Sequence, residues 1–262
     1  MNKIQNMFRR FSIVTCALLA GCGQELMNYD IDTETPVVES YLQEGATSLT
    51  VKVYTMEVYL KDGIDVSDAI GGLSIKVNGR ELTETVEGTY VLDLGTDTLR
   101  QGQAFDLNFD YGGRAITAST TVPEPVRNLQ AEPTSLAISS SYYWSTEDST
   151  AVTVTWDDPD GSYYQVYILS PNTSDMPSMG VFGRRMMQPF KGNSYKASGM
   201  EFRSTGWHTI YVYRVNKDYA ELYEQVSSTD LANPISFIDN AFGIFTAMSV
   251  ARVGIYVYEE DE

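Results

Sequence analysis

Few residues of this chain are suited to chemistry, and the densest group is Asp157-Asp158-Pro159-Asp160-Gly161. Three carboxylates in one turn offer hard oxygen donors, the ligands Ca²⁺ prefers. The group lacks the spacing of an EF-hand loop and its distal bidentate glutamate. Asp157, Asp158 and Asp160 therefore read first as a solvated turn and second as a weak calcium site. His208 is the single histidine, and alone it builds neither a Ser-His-Asp triad nor a multi-histidine metal centre. Neither Gly-x-x-x-x-Gly-Lys nor Gly-x-Ser-x-Gly occurs, so phosphate-loop and nucleophile-elbow chemistry have no footing. A glycosidase would need two carboxylates about 5 to 10 Å apart in a cleft, which residue order does not place. The expectation is a non-enzymatic protein with no catalytic residue and no cofactor. Recognition is better supplied. Tyr142-Tyr143-Trp144 follows a serine run where no alternation forces burial, and Tyr and Trp suit protein, glycan or aromatic-ligand contacts. Arg184, Arg185 and Phe190 belong to the one basic and apolar stretch of an acidic chain. A Met- and Phe-containing loop of this kind suits an adaptable interface. These six residues are the candidate ligand or partner contacts.

The N-terminus says where such contacts would be displayed. Lys3, Arg9 and Arg10 form a basic segment, Ile13 to Gly21 a short apolar one, and Leu19-Ala20-Gly21-Cys22 closes it. The apolar run is too short to span a bilayer. The pattern resembles a bacterial lipoprotein signal, cut before Cys22, with diacylglycerol and an acyl chain then carried by that cysteine. Two or three acyl chains, at about 0.8 kcal/mol per buried CH₂, hold a folded domain on a membrane. The second cysteine, Cys16, leaves with residues 1–21. The mature chain then has no disulfide and no cysteine-ligated metal. The formal charge is −17, and near −20 without the three basic residues of the signal. That balance opposes nucleic acid and anionic headgroups.

The rest of the chain alternates as strands do. Val51, Val53 and Thr55 oppose Lys52 and Tyr54 within Thr50 to Leu60, a half-buried strand pattern. Asn78-Gly79 between Leu73–Val77 and Arg80–Leu82 marks a two-residue hairpin, because both positions tolerate positive φ. Phe105 to Tyr111 turns at Gly112-Gly113 and returns over Ile116 to Val122. Pro123-Glu124-Pro125 disfavours sheet pairing and reads as a boundary. Beyond it come Ala151 to Trp156, Tyr163 to Leu169, Gly206 to Val215 and Ala251 to Tyr258, with one short helix near Asp218 to Val226. Strand, Trp156, acidic Pro turn and Tyr-rich strand resemble part of a fibronectin type III module. The expected fold is all-β: two tandem β-sandwich domains, immunoglobulin or fibronectin III-like, after the signal peptide. The expected bounds are signal 1–21, acidic tether 22–35, sandwiches 36–123 and 126–258, and acidic tail 259–262.

One segment is unlike generic strand: Asn233-Pro-Ile-Ser-Phe-Ile-Asp-Asn240-Ala-Phe242-Gly243-Ile-Phe245. With the Cys22 signal, the Pro36 to Leu42 strand, Thr121 to Pro123 and Asp157 to Tyr164, it resembles the C-terminal signature of a family of Bacteroidota lipoproteins of unknown function. Here Ala241 and Phe242 stand where many members carry more glycine. Members are typically encoded beside TonB-dependent receptors. The resemblance thus implies a lipid-anchored outer-membrane protein, facing the periplasm or the surface, accessory to a TonB-dependent nutrient transporter through ligand capture or receptor docking. It implies no catalytic residues. The residues themselves read Gly243-Ile-Phe245 as a strand edge where glycine permits close backbone approach. The alternative function is an adhesin or pilus-associated module whose sandwich edges assemble by strand addition.

Overall fold

Period-two alternation becomes strands wherever one face finds a core. In a computed structural model of the chain, the structure describes residues 35–55, 58–59, 65–66, 68–138, 150–171, 188–202, 204–227 and 236–259. They lie within the compact unit Thr33–Glu262. The strands are β1 (Val37–Gln43), β2 (Ser48–Tyr54), β3 (Val58–Tyr59), β4 (Asp65–Val66), β5 (Lys76–Val77), β6 (Arg80–Glu81), β7 (Thr83–Val86), β8 (Thr89–Asp93) and β9 (Ala104–Tyr111). They continue as β10 (Arg114–Thr121), β11 (Gln130–Glu132), β12 (Ser135–Ile138), β13 (Thr150–Thr155), β14 (Tyr163–Leu169), β15 (Phe190–Lys191), β16 (Ser194–Ser198), β17 (Gly206–Val215) and β18 (Phe242–Glu259). Helix α1 (Lys217–Ser227) precedes β18.

The protein is all-β, built as two sandwiches that share one sheet. That sheet runs β15-β14-β17-β18-β1-β2-β8-β7, with β12 also on β18. Its β1-to-β7 half faces the sheet β10-β9-β5-β6, and its other half faces β11-β13-β16. The first core holds Val38, Leu42, Val51, Val53, Ile75, Tyr90, Phe105, Leu107, Phe109 and Ile116. The second holds Val152, Val154, Trp156, Tyr164, Val166, Ile210, Val212, Ile255 and Val257. Trp156 sits at its centre, its ring 5.1 Å from Tyr164 and 6.1 Å from Phe190. Asn78 and Gly79, at φ 50° and 74°, make the hairpin turn that Asn-Gly predicts.

Sequence order and core membership part company at the C-terminus. Ile238, Ala241, Phe245 and Ala247 pack in the first core, not with residues 126–258 in the second. The cause is β18, whose 18 residues extend about 60 Å at about 3.3 Å each. Val37–Gln43 pairs in parallel with Phe242–Met248, and Ser135–Ile138 with Tyr256–Glu259. One strand is thus a member of both sandwiches. Two bounds also shift: Thr35 is buried, so the fold begins within the expected tether, and Glu259 still belongs to β18. Residues 1–34 and 260–262, where the signal, most of the tether and the rest of the tail were expected, lie outside the described residues.

The family-like segment is a clasp at the start of β18. Gly243 has φ +98°, and a Cβ there would lie 2.1 Å from the Val38 carbonyl oxygen. Only glycine allows β1 to come so near. Asn240, at φ 58°, donates through Nδ2 to the Ala115 carbonyl at 2.9 Å. Thr117 Oγ1 donates to Asp239 Oδ2 at 2.7 Å, and the Asp239 amide donates to the Thr117 carbonyl at 2.9 Å. The clasp ties β18 to β10 on one side and to β1 on the other.

Candidate functional site

Alternation on β17 and β18 decides which side chains reach solvent. His208, Ile210 and Val212 on β17, with Ile255 and Val257 on β18, turn into the second core. The opposite face of the same strands therefore carries Trp207, Thr209, Tyr211 and Tyr213 beside Arg252, Gly254, Tyr256 and Tyr258. Helix α1 covers one end of it, burying Tyr213 and Val215 with Tyr219, Leu222 and Met248. Tyr211 stacks on Tyr213 with centroids 6.2 Å apart, and Tyr167 stands 6.5 Å from Tyr211. The Tyr213 hydroxyl is buried without a hydrogen-bond partner among the described residues, and burial pushes its pKa up to about 12. It stays neutral at physiological pH.

The other end of this face is open. Trp207 is 66% exposed, Tyr256 44% and Tyr258 42%. Trp207 pairs with Tyr256 across the strands, ring centroids 5.4 Å apart and planes inclined by 56°. Gly254 lies diagonally beside the indole, and a Cβ built there would come 3.4 Å from both Cε3 and Cζ3. The indole lies over the strand there, at ordinary contact distance from where a Cβ would stand. Arg252 is exposed on the same face opposite Tyr211 and forms no ion pair among the described residues. The ensemble can stack on flat apolar faces and donate hydrogen bonds. It presents no nucleophile beside a base.

The acidic turn is otherwise engaged. Asp157 Oδ2 accepts from Asn128 Nδ2 at 2.6 Å, and Asp158 Oδ1 accepts from the Ser162 amide and the Tyr164 hydroxyl. Asp160 pairs with Arg214 at 2.5 Å and accepts from Ser162 Oγ. Among the described residues no three His, Cys, Asp or Glu side chains converge to hold a metal ion. The turn anchors a strand pair, and the three carboxylates already have protein partners. Phe190 is likewise a structural residue: half-buried, it packs on Trp156 and Tyr195 at the margin of the second core. It is not an exposed contact, because its place on the short strand β15 turns its ring inward. Cys22, Tyr142, Tyr143, Trp144, Arg184 and Arg185 lie outside the described residues.

His208 is fully buried against Phe202, and its Nδ1 lies 3.2 Å from the Gly206 carbonyl. Nε2 has no partner among the described residues. Burial lowers the imidazole pKa, so the ring is a neutral core residue. A shallow hollow lined by Gly71, Gly72 and Glu84 to Glu87 is also structural. There the Glu84 carboxylate accepts from the Gly72 and Gly88 amides at 2.9 and 3.0 Å.

Trp207, Tyr256 and Tyr258 escaped the reading of the sequence, although a signal for them was present. In Arg252-Val-Gly-Ile-Tyr256-Val-Tyr258 the aliphatic residues must face the core, which turns both tyrosines outward.

An all-β protein of two sandwiches sharing a sheet, with an open aromatic face, is the class these observations define. The chain belongs to the family described as domain of unknown function DUF4249, whose profile matches residues 24–253. No curated protein matches it. Among solved structures, titin domains A168–A170 align over 86% of this chain and 67% of theirs, at 8% identity and a TM-score of 0.25. The DIP-gamma IG1+IG2 structure aligns over 86% and 99%, at 10% identity and a TM-score of 0.19.

Proposed function

We propose that this protein is a non-enzymatic, lipid-anchored outer-membrane protein that serves a TonB-dependent nutrient transporter by capturing ligand or docking on the receptor. The acyl chains on Cys22 hold it at the membrane, and the sandwiches carry the recognition surface. The observation that carries this reading is the open face of Trp207, Tyr256 and Tyr258. Exposed rings on a closed, acidic sandwich suit binding of another molecule. The Cys22 signal and the resemblance of the Asn240 to Phe245 clasp to lipoproteins encoded beside such receptors support the location and the partner.

Strand addition, the alternative mode, is less well served. Along the main path of the shared sheet the end strands are β7, four residues long with Glu84 in it, and β15, two residues long; β12 on its side branch has four residues, and the eight-residue β10 that ends the facing sheet is bridged at Thr117 by Asp239. Short, charged edges blunt pairing with another chain. The test is an affinity pull-down of the lipidated protein from detergent-solubilised native outer membranes, with the Cys22→Ala form as control. A stoichiometric TonB-type receptor is expected with the lipidated form. Recovery of self-copies or pilin-like subunits alone would overturn the proposal.

A further inference from the structure

We infer that Trp207 and Tyr256 form a stacking platform for the rings of an uncharged polysaccharide, with Arg252 and Tyr258 as hydrogen-bonding neighbours. The inference deepens the ligand-capture reading and rests on it. Three observations carry it: the attitude of the indole, the size of the patch and its polar rim.

First, the indole lies over Gly254, where a Cβ would already be in contact with Cε3 and Cζ3 at 3.4 Å. One side of the ring is thereby supported by the strand, and 66% of the residue remains open to solvent. Tyr256, inclined by 56° at 5.4 Å, flanks it. Two inclined rings can receive successive sugar residues of a twisted chain. The C–H bonds on one face of a sugar ring are weakly positive, and the aromatic face is negative, so the two stack.

Second, the exposed rings make a compact patch, smaller by themselves than a standard protein interface. At no more than about 250 Å² per ring, the three rings expose less than about 400 Å². A stable protein interface takes about 800 Å² from each side. Among the described residues the neighbours on the face include Ser135 and Ala137 beside Tyr256 and Tyr258, Thr209 opposite Gly254, and the half-buried Leu169 on the far side of Thr209.

Third, the rim offers what sugar hydroxyls need. Arg252 carries guanidinium donors with no ion-pair partner among the described residues. The Tyr256 and Tyr258 hydroxyls have no side-chain partner among them either. The formal charge of −17 opposes anionic glycans and favours uncharged ones.

The test titrates the full lipidated chain in detergent with maltohexaose, xylohexaose, mannohexaose and laminarihexaose, followed by calorimetry and by the tryptophan emission. At least one of these should bind and shift the emission, and Trp207→Ala should weaken it about tenfold or more. Gly254→Val keeps the indole but lifts it off the strand. It should weaken the sugar as well while leaving the unfolding midpoint at or above that of the wild type, which separates loss of the platform from loss of fold. The inference falls if no hexaose binds, if Trp207→Ala binds as the wild type does, or if Trp207→Ala instead abolishes receptor recovery with sugar affinity unchanged. Failure of the transporter reading looks different: sugar binding that depends on Trp207 persists, but no receptor is recovered.

Discussion

Replacing Gly243 by alanine adds one methyl group where β18 pairs with β1, opposite Val38. Two costs follow. The backbone there has φ +98°, a region that non-glycine residues enter at about 1–3 kcal/mol. The new Cβ would also lie 2.1 Å from the Val38 carbonyl oxygen and 3.0 Å from its carbon. Those are backbone atoms, so no side chain can rotate away. Restoring even 3.0 Å means moving β1 by about 1 Å, in the middle of a register that runs from Val37↔Phe242 to Gln43↔Met248. Losing two or three ladder bonds at about 0.5–1.5 kcal/mol each brings the total to about 2–7.5 kcal/mol. For a unit of this size each kcal/mol lowers Tm by about 2–4 °C, so a drop of about 4–30 °C is expected. Gly254→Ala in the same strand is the internal control. Its φ is ordinary and its Cβ would make a normal 3.4 Å contact, so stability should hold or rise by up to about 1 kcal/mol. Urea unfolding followed by fluorescence and circular dichroism measures both, and hydrogen exchange over residues 37–43 locates the damage. Equal midpoints for the two variants would refute the steric account of the clasp.

His208 sets an acid dependence. Unfolded histidine titrates near 6.5 and the buried one below it, so the unfolded state takes the proton first. Stability is therefore full above 6.5 and is lost as pH falls from there towards the folded value. The stability of wild type minus that of His208→Leu should decline between about pH 7.5 and about pH 5.5, and a flat difference would sink the assignment. Asp160→Asn should cost about 1–3 kcal/mol, because Arg214 is only 8% exposed and loses its anion; adding Arg214→Met should recover part of that, as urea midpoints can decide. Asn240→Ala should be less stable than Asn240→Gly, since both lose the bond to Ala115 but only alanine is strained at φ 58°. The reverse order would mean that the clasp does not depend on that backbone conformation.

Much of the fold could be read from local pattern. Phe105, Leu107 and Phe109 face the core and Asp106, Asn108 and Asp110 face water, as the alternation of Phe105 to Tyr111 requires. The helix near Asp218 to Val226 and the Asn78-Gly79 turn also stand where local residue chemistry puts them. The last strand does not. Its clear alternation begins at Ala251, but the strand starts at Phe242, where residues Ile244 to Ser249 are buried on both faces and the period disappears. The candidate site divides in the same way. Phe190 drew notice through its basic neighbours, and only packing on Trp156 shows it as core. Trp207 and Tyr256 drew none, because lone aromatics in strands are usually buried.

What the sequence determined by itself is what nearest neighbours along the chain control: the all-β class, most of the strand segments, the turns, and the acidic balance of the chain. Tertiary structure alone decided which strands meet. The parallel pairing of residues 37–43 with 242–248 joins segments some two hundred residues apart, and period-two alternation carries no information about partner or direction. That pairing makes β18 common to both sandwiches. A separate parallel pairing sets β12 alongside Tyr256 at the far end of β18, and Trp207 is open where helix α1 no longer covers the sheet. A site assembled from two strands exists only once their hydrogen bonds have set the register.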